Sequence, residues 1–382
     1  MTFNPNHLAS RRRVLQAAGA AAATVAAPGW VRAQTEGPIV VGQTASLTGP
    51  LAFPFVEMNK GIKAAFDEFN ERGGVDGRRI EFVSLDDAGS PEKAAANAKQ
   101  LIEQNKILSF FACGGTTSVL GLMPVAQQAK VPLISPATGI DALRVHNPLV
   151  IHTRTGYSTE IAKIAQHLST TTQTKCAVVY NDNPFSKAGL AAFEAAAKRY
   201  NNTDWKPFVL GPSPDDIPKL VAEIAAWGPT SIMSLHVGGI GVAFYKALRE
   251  KVPAAPYVLS IVGTKPLMDA LGEAAKGTTV AQIVPNPENS TIAVVRAYQN
   301  AMKKAGVAPF SYSSLEGYVA SRILFEGLRR AGRHVTRDKL VPAFETMRPY
   351  DLGGYEVSYG PRDHEGSNFV ELTYYNGERF RR

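Results

Sequence analysis

The chain reads as an α/β protein of two lobes, each a parallel sheet with helices on its faces. From Pro38 onward, apolar runs of strand length alternate with segments of helical period, and at Cys176 the alternation restarts. Length agrees: without a leader of 33 residues, about 350 remain, more than one hydrophobic core usually organises.

The leader is read from Ser10-Arg11-Arg12-Arg13, a twin-arginine-like start, followed by the alanine-rich run 17–27 and the small-residue pattern Val31-Arg32-Ala33. Charge, apolar stretch and cleavage pattern come in the order of a signal peptide, so residues 1–33 are expected to be removed, leaving a mature start near Gln34. Four leader arginines carry half of the formal charge of +8, and no dense Lys/Arg block with interleaved aromatics remains. Nucleic-acid binding is therefore not expected. With 45% hydrophobic and 19% charged residues the composition is that of a soluble globular chain.

In the first lobe, strands are predicted at Ile39 to Ala45, Arg79 to Leu85, Lys106 to Ala112, Pro132 to Ile134 and Leu149 to Thr153. Helices are predicted at Phe55 to Phe69, where Phe55, Met58, Ile62, Ala65 and Phe69 share a face, and at Pro91 to Gln104 and Thr117 to Lys130. The second lobe opens with strand Cys176 to Tyr180 and helix Ser186 to Tyr200. Strands at Pro207 to Leu210, Ser231 to Leu235 and Tyr257 to Ile261 alternate with helices at Asp215 to Trp227 and Val242 to Glu250. The tail breaks the rhythm with helices at Ile292 to Ala305, Ser313 to Ala331 and Thr336 to Met347, then β-like Tyr355 to Val357 and Phe369 to Tyr374. Cys113 and Cys176 lie in or beside apolar runs and are expected to be buried free thiols.

The strongest local chemistry is Cys113-Gly114-Gly115-Thr116-Thr117-Ser118, where a strand ends and an apolar helix begins. Small residues admit a ligand to the backbone, and the helix start offers unpaired N–H groups, hydroxyls and a positive dipole end, which suit a carboxylate. The plainer role of Thr116 or Thr117 is to cap the helix. Two further loops, Ser46-Leu47-Thr48-Gly49-Pro50 and Pro136-Ala137-Thr138-Gly139, share the carboxyl edge of the sheet, where ligands of parallel α/β sheets bind. In the second lobe, Asn183-Pro184-Phe185-Ser186 and His236-Val237-Gly238-Gly239 occupy the corresponding loops.

Asp86-Asp87 is read as a turn brace, since neighbours on a strand face opposite sides. Arg154 is read as an interlobe ion pair or a carboxylate clamp. Gly239-Ile240-Gly241 lacks the third glycine of a dinucleotide fingerprint, no nucleophile elbow or phosphate loop occurs, and the seven histidines show no metal-ligand spacing. Binding is expected, with no catalysis and no cofactor or metal.

Together, residues 41–50, Asn70-Glu71-Arg72-Gly73-Gly74-Val75, Asp86-Asp87 with Pro91, residues 133–138, Ser313-Ser314-Leu315-Glu316-Gly317-Tyr318 and Asp351-Leu352-Gly353-Gly354 resemble the branched-chain amino-acid-binding proteins of ABC transporters. The resemblance spans nearly the whole mature chain. It implies a type I periplasmic-binding fold with the ligand between two lobes joined by three crossovers, at His152 to Thr155, Gln282 to Pro285 and Arg348 to Gly354. One lobe would then comprise residues 34–153 and 285–348, the other 154–284 and 349–382, and the tail helices would return to the first lobe.

The resemblance also assigns the ligand carboxylate to Gly114, Gly115, Thr116 and Thr117 with Ala137, Thr138 and Gly139. It assigns side-chain contacts to Phe53 and Phe55; the family often has an aromatic where Phe185 stands, and Tyr157 begins the helix after the first crossover. The second-lobe loops themselves read as offering Phe185 and His236 as cover from the opposite side. Leucine-type relatives can carry a disulfide to the position of Cys113; Gly89 stands where its partner would be. The acid that would receive an α-ammonium falls near Val262 and Gly263, neither of which is acidic, so Gly263 is a site position without that chemistry. Residues and resemblance together imply a periplasmic receptor for a small carboxylate, an apolar amino acid or an aromatic or aliphatic acid, expected as a monomer delivering to an ABC permease and its ATPase. An extracytoplasmic ligand sensor of the same fold is the alternative, and an exported α/β enzyme ranks third.

Overall fold

The computed structural model describes residues 1, 37–49, 52–236 and 239–382. Apart from Met1, the expected leader and its cleavage site lie outside the described residues, as do Pro50, Leu51, Val237 and Gly238.

Strands β1 (Ile39–Ala45), β2 (Ile80–Asp86), β3 (Ser109–Phe111), β4 (Leu133–Ile134) and β5 (Val150–Ile151) form a parallel sheet in the order β2-β1-β3-β4-β5. Val41 lies opposite Phe82 on one side and Ser109 on the other. Strands β1, β3, β4 and β5 are buried on both faces and read as nearly continuous apolar runs, which is why they were visible in sequence, whereas β2 at the edge is mostly half-buried. Strand β3 is shorter than expected because Lys106 and Ala112, at φ 52° and 51°, leave the extended region at either end.

Helices α1 (Ala52–Glu71), α2 (Pro91–Glu103) and α3 (Thr116–Gln128) connect these strands. Helix α2 is begun by Ser90, which accepts from Lys93 N–H at 3.2 Å, with Pro91 as first helical residue.

Helix α4 (Tyr157–Ser169) leads into β6 (Cys176–Tyr180), α5 (Pro184–Arg199), β7 (Trp205–Val209), α6 (Ile217–Trp227), β8 (Ser231–Leu235), α7 (Gly239–Lys251), β9 (Ala255–Leu259), α8 (Lys265–Leu271) and β10 (Thr279–Gln282). With β14 (Glu371–Tyr375) and β15 (Phe380–Arg381) these strands make a seven-stranded sheet, order β15-β14-β10-β9-β8-β6-β7, parallel except that β14 pairs antiparallel with both β10 and β15. Cys113 and Cys176 are free and buried, and burial pushes both thiols up to about 12.

After β10 come α9 (Ala293–Lys304), α10 (Tyr312–Ala331) and α11 (Arg337–Phe344). Helices α9 and α10 pack on α1: Phe325 stacks on Phe69 at 4.0 Å and meets Phe66 edge-on at 5.0 Å. Strands β11 (Tyr350–Asp351), β12 (Glu356–Gly360) and β13 (Asp363–Gly366) then form a small antiparallel sheet.

This sheet departs from the expectation that residues 349 onward join the second lobe. Tyr355, Val357 and Tyr359 share a core with Phe111, Ile134 and Ile151 of the first sheet, and the chain meets the second sheet only at β14. The reason is hydrogen bonding: Tyr359 and Tyr355 donate to the carbonyls of His152 and Thr153, each at 2.8 Å, and His152 N–H donates to His364 O at 2.9 Å.

Arg154 follows that segment and is 1% exposed. It donates to Glu160 of α4 at 2.8 Å, to Glu316 of α10 at 3.2 Å and to Ser260 Oγ, after β9, at 2.9 Å. Glu160 also accepts from Ser260 N–H at 2.8 Å. Of the two readings of Arg154, the geometry is that of an ion pair tying helices that pack on different sheets.

Candidate functional site

The site begins at the end of β3. Gly114 N–H donates to Thr44 O at 3.0 Å, and Ala137 N–H to Cys113 O at 2.8 Å, so the strand-end loops of β1, β3 and β4 are sewn together. A Cβ at Gly114 would overlap the Phe55 ring, so the absence of a side chain seats α1 against this loop. Gly115, at φ 89°, is the N-cap of α3, and no side chain caps the helix. The capping role considered for Thr116 and Thr117 is thereby corrected: both lie inside the helix.

Val119 N–H is the first in α3 to find a carbonyl, that of Gly115 at 2.9 Å. The N–H groups of Thr116, Thr117 and Ser118 have no intramolecular acceptor among the described residues, at the end of the helix where its dipole is positive. Thr116 Oγ1 is paired with Thr138 Oγ1 at 2.8 Å, and Ser118 Oγ donates to Asp87 at 3.0 Å. Asp87 is fully buried and also accepts from Thr44 Oγ1 at 2.8 Å, Gly89 N–H at 2.8 Å and Ser46 Oγ at 3.4 Å. Burial raises its carboxyl above the ordinary range. Beyond bracing a turn, this acid organises a cluster of hydroxyls, which spacing alone did not suggest. Asp86 faces outward and accepts from Leu47 and Thr48 N–H.

Opposite, Asn183 caps α5 by accepting from Ser186 N–H at 2.9 Å, setting Phe185 edge-on to Tyr157 with ring centroids 5.1 Å apart. His236, directly after β8, packs edge-on to Phe244 at 5.3 Å. Between the two sides lies a cavity of about 360 Å³, within the range of roughly 300–1,000 Å³ usual for small-molecule sites.

Of the residues singled out in sequence, Phe53, Phe55, Gly115, Thr116, Thr117, Tyr157, Phe185 and His236 line this cavity. Gly114, Ala137, Thr138, Gly139 and Gly263 do not reach its wall. Gly114 lies under Phe55, Thr138 stands behind Thr116, and Ala137 bridges to Gly114. A Cβ on Gly139 would come 2.6 Å from the Tyr157 ring, and one on Gly263 would overlap Val280, inside the second sheet's core. These five shape the wall from behind.

The wall also includes Val262, named in sequence beside Gly263, and residues that sequence reasoning missed: Val242 and Tyr245 of α7, Leu267, Met268 and Leu271 of α8, and Val258 and Ile261 around the end of β9. As apolar residues at helix or strand period they carry no signal separating cavity from core. No Asp, Glu, Lys or Arg among the described residues lines the cavity. Among the described residues, no group of three or more His, Cys, Asp and Glu is placed to hold a metal ion.

Burial lowers the His236 ring to about 4, so it is neutral at pH 7. A histidine depressed in the folded state contributes stability that is full above its ordinary pKa of about 6.5 and lost as pH falls towards about 4, in all roughly 3 kcal/mol. In an NMR titration its ring resonances are expected to hold still down to about pH 5 and to shift only below; a midpoint near 6.5 contradicts the burial.

A family model described as periplasmic binding protein matches residues 38–378. Leu/Ile/Val-binding protein homolog 3 of Brucella melitensis is 25% identical over 327 residues, covering 84% of this chain and 87% of the relative. Among solved structures, a substrate-binding periplasmic protein of Ralstonia solanacearum superposes with a TM-score of 0.81 at 27% identity, over 89% of this chain and 98% of that one. An extracellular ligand-binding receptor of Verminephrobacter eiseniae gives 0.81 at 26%, over 90% and 100%.

Proposed function

We propose, from the premise that the chain belongs to the periplasmic binding protein family, that it captures a small carboxylic acid with an apolar or aromatic body and no α-amino group. It acts in the periplasm after loss of residues 1–33, as the receptor of an ABC permease and its ATPase. The observation that carries this reading is the uncapped start of α3: three N–H groups and the hydroxyl of Thr117 beside a cavity that is otherwise mostly apolar.

The carboxylate docks on Gly115, Thr116 and Thr117, with Ser118 held in place by Asp87. Phe53, Phe55, Tyr157 and Phe185 cover the body of the ligand. An α-ammonium would be taken out of water with no charged partner in the wall, and that cost weighs against amino acids. Binding favours the closed arrangement because the ligand touches both sides only there. The ligand leaves unchanged.

One observation favours an apolar amino acid instead. Ser118 and Ser46 spend their protons on Asp87 and so turn lone pairs outward, which suits a donor such as an ammonium. Thermal unfolding with matched pairs, leucine against 4-methylpentanoate and phenylalanine against 3-phenylpropanoate, separates the two. The acids lacking the amino group are expected to raise Tm, by the equivalent of about 2.7 kcal/mol at a hundredfold excess over Kd. Stabilisation by leucine alone transfers the site to amino acids.

The helix start has its own test. Thr117→Ala removes a hydroxyl that caps nothing, so it is expected to leave stability within about 0.5 kcal/mol and to weaken binding of the stabilising acid about tenfold or more. Unchanged affinity removes the carboxylate from α3.

A further inference from the structure

The polar groups on the second side of the cavity are unexplained by a carboxylate at α3. Ser234 Oγ and His236 Nε2 are buried and have no hydrogen-bond partner among the described residues. Ser234 is 0% exposed and His236 5% exposed, and both residues line the cavity. They stand two apart at the end of β8, where alternate residues face the same side. Leaving one buried donor or acceptor unpaired costs about 1–3 kcal/mol, so two on one wall call for a partner.

We propose that Ser234 and His236 form a second polar subsite that recognises an uncharged hydroxyl at the far end of the ligand, making the preferred ligand a hydroxy-substituted aromatic or aliphatic acid. This rests on the carboxylate reading of α3.

The chemistry of the wall selects a hydroxyl over other polar groups. The neutral imidazole offers one donor and one acceptor nitrogen, a serine hydroxyl both donates and accepts, and a ligand hydroxyl can satisfy either assignment. A second carboxylate or an amine would bring a charge to a wall without an opposite one. Packing fixes the imidazole: the ring lies against Phe244, and its Nδ1 sits where a Cβ on Gly241 would come within 2.6 Å, so the glycine leaves it room. A site built to pair a ligand hydroxyl penalises an analogue without one, because its buried groups are then left unpaired.

Isothermal titration with benzoate, 3-hydroxybenzoate, 4-hydroxybenzoate, hexanoate and 6-hydroxyhexanoate tests this in the full mature chain. At least one hydroxy acid is expected to bind about tenfold tighter than its parent. That ratio is expected to fall towards unity in Ser234→Ala, which deletes a single oxygen, and in His236→Phe, which keeps the packing on Phe244. Parents that bind as well as every hydroxy derivative overturn the subsite and leave the carboxylate reading standing. An advantage that survives both substitutions also overturns it. If none of the acids binds, both readings fall together.

Discussion

Replacing Arg154 by methionine is expected to destabilise the protein by about 3–5 kcal/mol near neutral pH, the usual result of removing one partner from a buried ion pair. The guanidinium is buried between Glu160 and Glu316, and no second cation pairs with either carboxylate among the described residues. In the native protein burial already raises both carboxyls above the ordinary range against the pull of Arg154. Without the arginine they rise further, because desolvation and their mutual repulsion then act unopposed.

This fixes the sign of the pH dependence. A carboxyl raised in the folded state contributes stability that is full below its ordinary pKa of about 4.3 and lost as pH rises through the raised value. Urea denaturation of Arg154→Met should therefore show its deficit at about pH 7.5 and recover much of it near pH 5. Adding Glu160→Met and Glu316→Leu should restore most of the loss at both, since an apolar cluster can replace a buried ionic one. A single variant within about 1 kcal/mol of the native protein at neutral pH refutes the network's role.

How far such features were legible differs by the kind of residue. The strands were, because a parallel strand buried on both faces is mostly apolar; β1, β6 and β8 begin and end where the sequence placed them. Strand β10 was not, since Thr279-Val280-Ala281-Gln282 is four residues beside Gly277, short enough to be absorbed into a crossover. The third crossing was misplaced because Tyr355 and Tyr359 are fixed by hydroxyl bonds to carbonyls about two hundred residues earlier, a pairing no local pattern records. The start of helix α3 stood out because Gly-Gly-Thr-Thr-Ser groups small and hydroxyl residues there, and Gly115, Thr116, Thr117 and Ser118 do line the cavity. The wall from α7 and α8 was invisible: Val242, Leu267 and Leu271 look identical whether they face a core or a ligand. Ser234 was equally hidden, since the second serine of Ser231-Ile232-Met233-Ser234-Leu235 says nothing until its empty hydrogen bond is seen.

Gly61→Ala is expected to cost about 3 kcal/mol, against the local rule that alanine gains about 1 kcal/mol over glycine inside a helix. Gly61 is in the middle of α1, where a Cβ would overlap the main-chain carbonyl of Ser314 in α10. Nearby, a Cβ on Gly317 would overlap the Met58 carbonyl from the other side. The two glycines bring backbone against backbone, and neither atom struck is the end of a flexible side chain. The helices must therefore separate, breaking the Phe66, Phe69 and Phe325 contacts and the bond from Tyr318 to Glu68. Because α10 reaches α1 from about 250 residues away, that crossing closes the chain back onto the first sheet. Phe53 and Phe55 extend from α1 into the cavity wall, so the same substitution should weaken ligand binding as well as folding. Urea denaturation and ligand titration of Gly61→Ala check both. Equal or greater stability would mean that helix propensity governs this position and that the close crossing of α1 and α10 does not.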